Sequence, residues 1–217
     1  MILIQCQGLS KHYGSKKALN NVNLTLESGA PIALVGPNGA GKTTASKTIL
    51  PSILNCTEFV NADEIARGLS PFNPEGVAVK AGRLMLERID ELIEKQETFA
   101  IETTLATRSY AKLVEEVQAK GYTVVLIYFW LNSYDLAKER VSNRVKAGGH
   151  NIPDEVVERR YTLGIQNLCK IFIGIVDEWL VYDNSDNKAL PIANGYIGEQ
   201  PEIINPYIWS VIQGYDS

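Results

Sequence analysis

Two kinds of apolar spacing alternate along the chain. Ile2, Ile4 and Cys6, then Val22, Leu24 and Leu26, recur at every second residue and predict two strands. Tyr13-Gly14-Ser15 predicts the turn between them, and Ser28-Gly29-Ala30-Pro31 a second turn. An apolar run from Pro31 to Val35 leads through a glycine-rich stretch into a helix-compatible segment, Thr43 to Leu50. Glu58 to Asp63 predicts a short strand with a polar end, and the two prolines of Ser70-Pro71-Phe72-Asn73-Pro74 block a helix there. From Glu75 to Lys95 the apolar positions Val79, Leu84, Leu86, Ile89 and Ile93 take up helical spacing. Thr98 to Glu102 reads as a strand, and Ser109 to Lys120 as a helix closed by Gly121. Tyr122 to Leu131 is the longest strand, apolar almost throughout, as a parallel strand covered on both faces is. Ser133 to Lys146 predicts a helix with Asn132 or Ser133 as its N-cap. A break at Gly148–Pro153 separates it from a long helix, Asp154 to about Glu178, and a last core strand, Trp179 to Asp183. Beyond lies a Gly-, Pro- and Asn-rich stretch that predicts only short elements.

Strands alternating with helices imply an α/β fold: a mainly parallel five-stranded sheet with helices on both faces, preceded by an N-terminal β-hairpin. The expected organisation is a single domain over 1–217, with 1–30 as an added hairpin and 140–160 as a lid. In such sheets ligands sit beyond the carboxyl ends of the strands. That rule puts the stretch after Val35, Asp63 and Glu102 at one rim.

The glycine-rich stretch is Gly36-Pro37-Asn38-Gly39-Ala40-Gly41-Lys42-Thr43, followed by Thr44; it fits G-x-x-x-x-G-K-[ST] without mismatch and in a strand–loop–helix context. The glycines let backbone N–H groups turn inward at phosphate oxygens, and the helix that follows adds its positive end. Residues 36–44 are therefore the expected triphosphate cradle of a P-loop NTPase, for ATP or GTP. Lys42 would reach the β- and γ-phosphates, and the Thr43 hydroxyl would hold Mg²⁺.

Composition narrows the field further. The chain has 217 residues, with 21 basic and 25 acidic side chains, a balance that argues against general nucleic-acid binding. Cys6, Cys56 and Cys169 have no metal-ligand spacing and read as reduced thiols of a cytoplasmic protein. No signal peptide is visible, and the longest apolar run, Thr123 to Leu131, is too short to cross a bilayer.

Several polar residues fall where phosphoryl transfer needs them. Asp63 ends a predicted strand, where a carboxylate could orient an acceptor hydroxyl and accept its proton; a helix N-cap is the plainer role. Arg67 is one helical turn on, placed to hold the acceptor. Glu102, Thr103 and Thr104 form a polar tip on an apolar strand and are assigned to acceptor binding, with Glu102 also able to reach Mg²⁺ through water. Arg140 and Arg144 share a helix face next to the Gly148-Gly149 break, so they resemble lid arginines that close over phosphates. Of Arg159 and Arg160 at most one reaches the site, and lone His150 has no partner for catalysis. The run Ile171 to Glu178 imitates an apolar strand ending in Asp-Glu, but it lies within the long predicted helix.

Two resemblances cover the chain. Leu9-Ser10-Lys11-His12-Tyr13-Gly14, Ala18-Leu19 and the glycine-rich loop resemble the start of an ABC-transporter ATPase; that resemblance implies Tyr13 stacking on adenine. The run Phe59 to Pro71, the block Ile101 to Leu105, Arg140-Val141 with Arg144, Gly148 to Pro153, Arg159-Arg160-Tyr161 and Leu180 to Ser185 resemble zeta-toxin P-loop kinases, over roughly residues 31–190. This second resemblance implies ATP-dependent transfer to a small-molecule hydroxyl, with a UDP-sugar as leading acceptor. It implies Asp63 as base and an antitoxin protein as a candidate partner. The alternative is an ABC-type ATPase subunit driving a membrane partner. Against it, the chain has no Leu-Ser-Gly-Gly-Gln signature and no histidine after Asp177-Glu178.

Overall fold

The computed structural model describes residues 2–13, 16–27, 32–43, 46, 56–146, 151–186 and 189–215. Its central element is the strand that feeds the glycine-rich loop, β3 (Ile32–Val35), where β1 (Ile2–Tyr13) and β2 (Lys16–Glu27) are the strands before it. β4 (Glu58–Val60), β5 (Phe99–Thr103), β6 (Val125–Trp130) and β7 (Glu178–Asp183) follow, then β8 (Leu190–Tyr196) and β9 (Glu202–Ile203). The sheet order is β4-β5-β3-β6-β7-β8-β9. The first five strands in that order are parallel, with Val35 level with Thr103 on one side and Tyr128 on the other. The chain runs from β3 to β4 and β5 on one side and then crosses to β6 on the other, so a crevice opens at the carboxyl end of β3, where such sheets bind ligands.

The five parallel strands are those the apolar pattern predicts. The two antiparallel strands β8 and β9 extend the sheet to seven and were not expected. Gly195 and Pro191 disguise β8. Gly195 pairs with Trp179, and a Cβ there would press within 2.8 Å of the Trp179 ring, so only glycine lets the indole lie over the strand. The N-terminal hairpin is confirmed as a separate two-stranded antiparallel sheet, β1 with β2.

The helices are α1 (Ala62–Leu69), α2 (Ala78–Glu94), α3 (Ser109–Ala119), α4 (Tyr134–Lys146), α5 (Asp154–Lys170) and α6 (Pro206–Gly214). They cover both faces of the sheet. All six residues of β6 are buried, as its unbroken apolar run requires. The long helix predicted from Asp154 stops at Lys170 instead of Glu178. A short 3-10 turn at Phe172–Gly174 replaces its end, and Phe172 and Val176 are buried in the core. Gly174 and the β-branched Ile171, Ile173, Ile175 and Val176 are poor helix formers, which accounts for the early stop. The helix predicted over Thr43–Leu50 opens at Lys42 and Thr43; Thr44 and residues 47–55 lie outside the described residues, as do Gly14-Ser15, residues 28–31 and Gly148-Gly149-His150.

Candidate active site

The loop after β3 is bent by glycines with left-handed backbone. Gly36 has φ +142° and Gly39 +79°. A Cβ on Gly36 would strike the carbonyl of Phe129, and one on Gly39 would crowd Ala137 and Arg140 of α4 at 3.0 Å. Both glycines thus answer a double demand, strained φ and close approach.

Lys42 is buried at 5% exposure; its Nζ donates to the carbonyls of Gly36 (2.9 Å) and Pro37 (3.0 Å) and lies 3.8 Å from Glu102 Oε1. Burial pulls its pKa below the usual lysine value; Glu102 and Asp63 oppose that pull, while Arg144 and Arg160 add to it. Four charges from four separate elements therefore converge on one ammonium.

Glu102 ties the parts together. Its Oε2 accepts from the Thr43 hydroxyl at 2.9 Å and from the Asn61 amide at 2.8 Å. Asn61 is also the N-cap of α1: its Oδ1 accepts from the backbone N–H groups of Asp63 (2.8 Å) and Glu64 (3.3 Å). One asparagine side chain thus locks the glutamate under the loop to the helix that carries Asp63. Capping belongs to Asn61, so the Asp63 carboxylate is exposed and uncommitted to the helix end.

Asp63 faces a cleft of about 180 Å³. Its charged lining is Asp63, Arg67, Glu75, Arg144 and Arg160; its apolar wall comes from Ala62, Ala66, Pro74, Ala78, Ile152, Pro153 and Val156. Arg67 also pairs with Glu64 at 3.2 Å on the outer side. Of the expected acceptor set, Asp63 and Arg67 share this cleft, whereas Glu102, Thr103 and Thr104 do not line it. Glu102 lies beneath the loop. Thr103 Oγ1 accepts from the backbone N–H of Leu105 and borders a small apolar pocket under α3. The Thr104 carbonyl packs against Gly164 of α5. The chain turns sharply there because Leu105 takes φ +60°, held by Asn167 donating to its carbonyl at 2.8 Å. The alternation of β5 turns Thr103 away from the rim face.

Arg140 and Arg144 also part company. Arg140 donates to the carbonyls of Asn184 (2.9 Å) and Ser185 (2.6 Å), and Asn184 donates to the Ala40 carbonyl at 2.7 Å. Arg140 therefore fastens the segment after β7 to the glycine-rich loop, whereas Arg144 lines the cleft. Asn61, Arg160 and Asn184 are the residues that sequence reasoning did not assign. Tyr13 ends β1, and its side chain lies outside what is described.

The donors suit Mg²⁺: a hydroxyl and a carboxylate 2.9 Å apart under a phosphate loop, the sparse protein ligation typical of an ion that arrives with phosphates. The buried side-chain oxygens (Oδ1) of Asn38 and Asn184 have no hydrogen-bond donor among the described residues, which suits a polar ligand in the loop.

A family model for the AAA domain matches residues 32–161. An uncharacterised protein of Haemophilus influenzae is 29% identical over 126 residues, 58% of this chain and 88% of that protein. A lantibiotic transport ATP-binding protein of Streptococcus pyogenes is 47% identical over only 47 residues, 22% of this chain and 20% of that protein. Among solved structures, the AvrRxo1-ORF1:-ORF2 complex with ATP aligns with TM-score 0.71 at 16% identity, over 87% of this chain and 64% of that chain. The PezAT toxin–antitoxin system of Streptococcus pneumoniae aligns with TM-score 0.57 at 16% identity, over 86% and 85%. At these identities the structural likenesses speak for the fold.

Proposed function

The chain belongs to the AAA domain family of P-loop proteins, and from that premise we propose that it is a kinase moving the γ-phosphoryl group of ATP to a hydroxyl of a small molecule. The observation that carries the reading is the Glu102–Asn61–Asp63 arrangement. It holds an unengaged carboxylate at the mouth of a cleft, close enough to the loop lysine to act on its charge. Nothing in a pure nucleotide-binding module needs that second cleft.

In this reading the acceptor lies in the cleft with its hydroxyl at Asp63. The hydroxyl oxygen bonds to the γ-phosphorus as the bond to the β–γ bridging oxygen breaks; the proton goes to Asp63 and ADP leaves. Lys42 and backbone N–H groups of the loop from Asn38 to Thr43 hold the phosphates, while Arg144 and Arg160 neutralise charge on the transferring group. Thr43 and Glu102 would hold Mg²⁺, which supplies charge neutralisation at the phosphates. Arg140 positions the loop through Asn184 instead of touching phosphate. A UDP-sugar is the leading acceptor by resemblance to zeta toxins. The fold shared with PezAT supports an antitoxin as partner, and the fold shared with the AvrRxo1 complex crystallised with ATP supports ATP as donor.

The ABC-motor alternative meets a geometric obstacle. Glu178 opens β7 level with Val125, at the amino ends of the parallel strands, whereas the glycine-rich loop leaves the carboxyl end of β3. Its carboxylate is on the wrong rim to activate water at a γ-phosphate. The deciding experiment incubates the protein with labelled ATP and a panel of nucleotide sugars and other hydroxyl metabolites, read by mass spectrometry. A phosphorylated acceptor with stoichiometric ADP supports the kinase; ADP with free phosphate, whatever the acceptor, sinks it.

A further inference from the structure

The opposite rim carries a second cleft, of about 250 Å³, between the end of α5, the β8–β9 turn and α6. Its walls include Trp179, Trp209, Tyr196, Pro201, Glu199 and Gln213. Trp179 and Trp209 stack with centroids 5.4 Å apart and planes 11° apart, which fixes them as a rigid aromatic block. Tyr196 is half exposed, and Glu199 is exposed and forms no ion pair among the described residues. Apolar side chains continue beyond the cleft: Tyr207 is 77% exposed, and Ile197, Ile204 and Val211 are exposed too.

Charge is unevenly spread in the same region. Asp177 and Glu178 at the start of β7, Glu199 in the turn after β8 and Glu202 in β9 lie toward this rim, whereas Asp183 and Asp186 neighbour Arg140 at the loop rim. Lys170, next to the cleft residue Cys169, already interacts with a neighbour. Aromatic faces beside an uncompensated carboxylate attract a cation that has an apolar stem, as in arginine or lysine. The surrounding apolar residues exceed what one side chain would cover.

We propose that this surface docks a basic segment of a partner protein, with one arginine or lysine side chain seated in the cleft against the aromatic walls and its charge toward Glu199. The site is independent of the phosphotransfer reading, because it occupies the other rim of the sheet. The test titrates the full chain with a fluorescein-labelled peptide of alternating glycine and arginine, an equivalent with citrulline for arginine, and free arginine. Anisotropy follows the peptides, and tryptophan emission reports on the cleft. Saturable binding of the arginine peptide is expected, weakened about 10-fold or more by Glu199→Lys and by Tyr196→Ala, and by added salt. Both positions are exposed, so circular dichroism should be unchanged, and ATP turnover should be too. Equal binding of the citrulline peptide, no saturable binding, undiminished affinity in Glu199→Lys, or free arginine binding as tightly as the peptide would each overturn the proposal.

Discussion

Replacing Asp63 by Asn separates chemistry from structure at this site. The amide keeps the size of the side chain but cannot take a proton. Structurally little is lost. The N-cap of α1 is Asn61, so the helix start survives. What goes is a favourable charge in the first turn, about 0.3–1 kcal/mol. Against a total stability of roughly 5–15 kcal/mol, that leaves the folded fraction unchanged. Nucleotide binding should also persist, since the residues on the phosphates are Lys42 and the loop. The loss of a nearby negative charge removes one of the two influences that hold up the Lys42 pKa, leaving Glu102. Catalysis should fall far more. A positioned general base contributes about 10²–10⁴-fold, or about 3–5.5 kcal/mol of barrier. The assay is single-turnover transfer from labelled ATP to the acceptor, with affinity for a fluorescent ATP analogue and the melting temperature measured in parallel. Glu178→Gln is the control. If Asp63→Asn turns over within a few-fold of the parent while Glu178→Gln is dead, the assignment of Asp63 as base is refuted and the motor reading returns.

Other substitutions probe the remaining links. Lys42→Ala should abolish transfer with the fold intact by circular dichroism; parent turnover together with unchanged triphosphate affinity would remove the phosphate-loop reading. Asn61→Ala should cost about 0.5–2 kcal/mol in thermal or urea melts, through the lost cap, and lower turnover as well; Asn61→Asp should keep the cap yet still lower turnover, because it sets a second carboxylate against Glu102. If Tyr13 stacks on the base, Tyr13→Ala should weaken nucleotide binding by about 1–3 kcal/mol and Phe should restore most of it, by titration with a fluorescent ATP analogue; no change would confine the hairpin to a structural role. Burial pushes the Cys56 thiol pKa up, and Cys56 is 2% exposed, so a disulfide-exchange reagent at pH 8 should modify it far more slowly than half-buried Cys169; comparable rates would contradict the packing at the foot of β4.

The linear pattern was enough for the parallel sheet and its loop. Val125–Trp130 can only be a buried strand, and Gly36 to Thr43 has one backbone solution when it lies between strand and helix. Both are local matters of period and glycine content, so they are legible without tertiary context. The site beyond the loop was legible only as a set of residue types at strand ends. Which of them meet was decided by the fold. Glu102 went beneath the loop because β5 pairs directly with β3, bringing its end level with Val35. Thr103 turned into the core by strand alternation. Arg140 and Arg144, on one helix face by spacing, divided between the Asn184 segment and the cleft because α4 lies across the loop at Gly39. Asn61 was invisible as a hub because its two partners, Glu102 and the start of α1, are joined only when β4 and β5 lie side by side. The strand β8 was hidden for the same kind of reason: Gly195 weakens a strand on its own, and only the indole of Trp179 lying across it makes glycine the residue that fits.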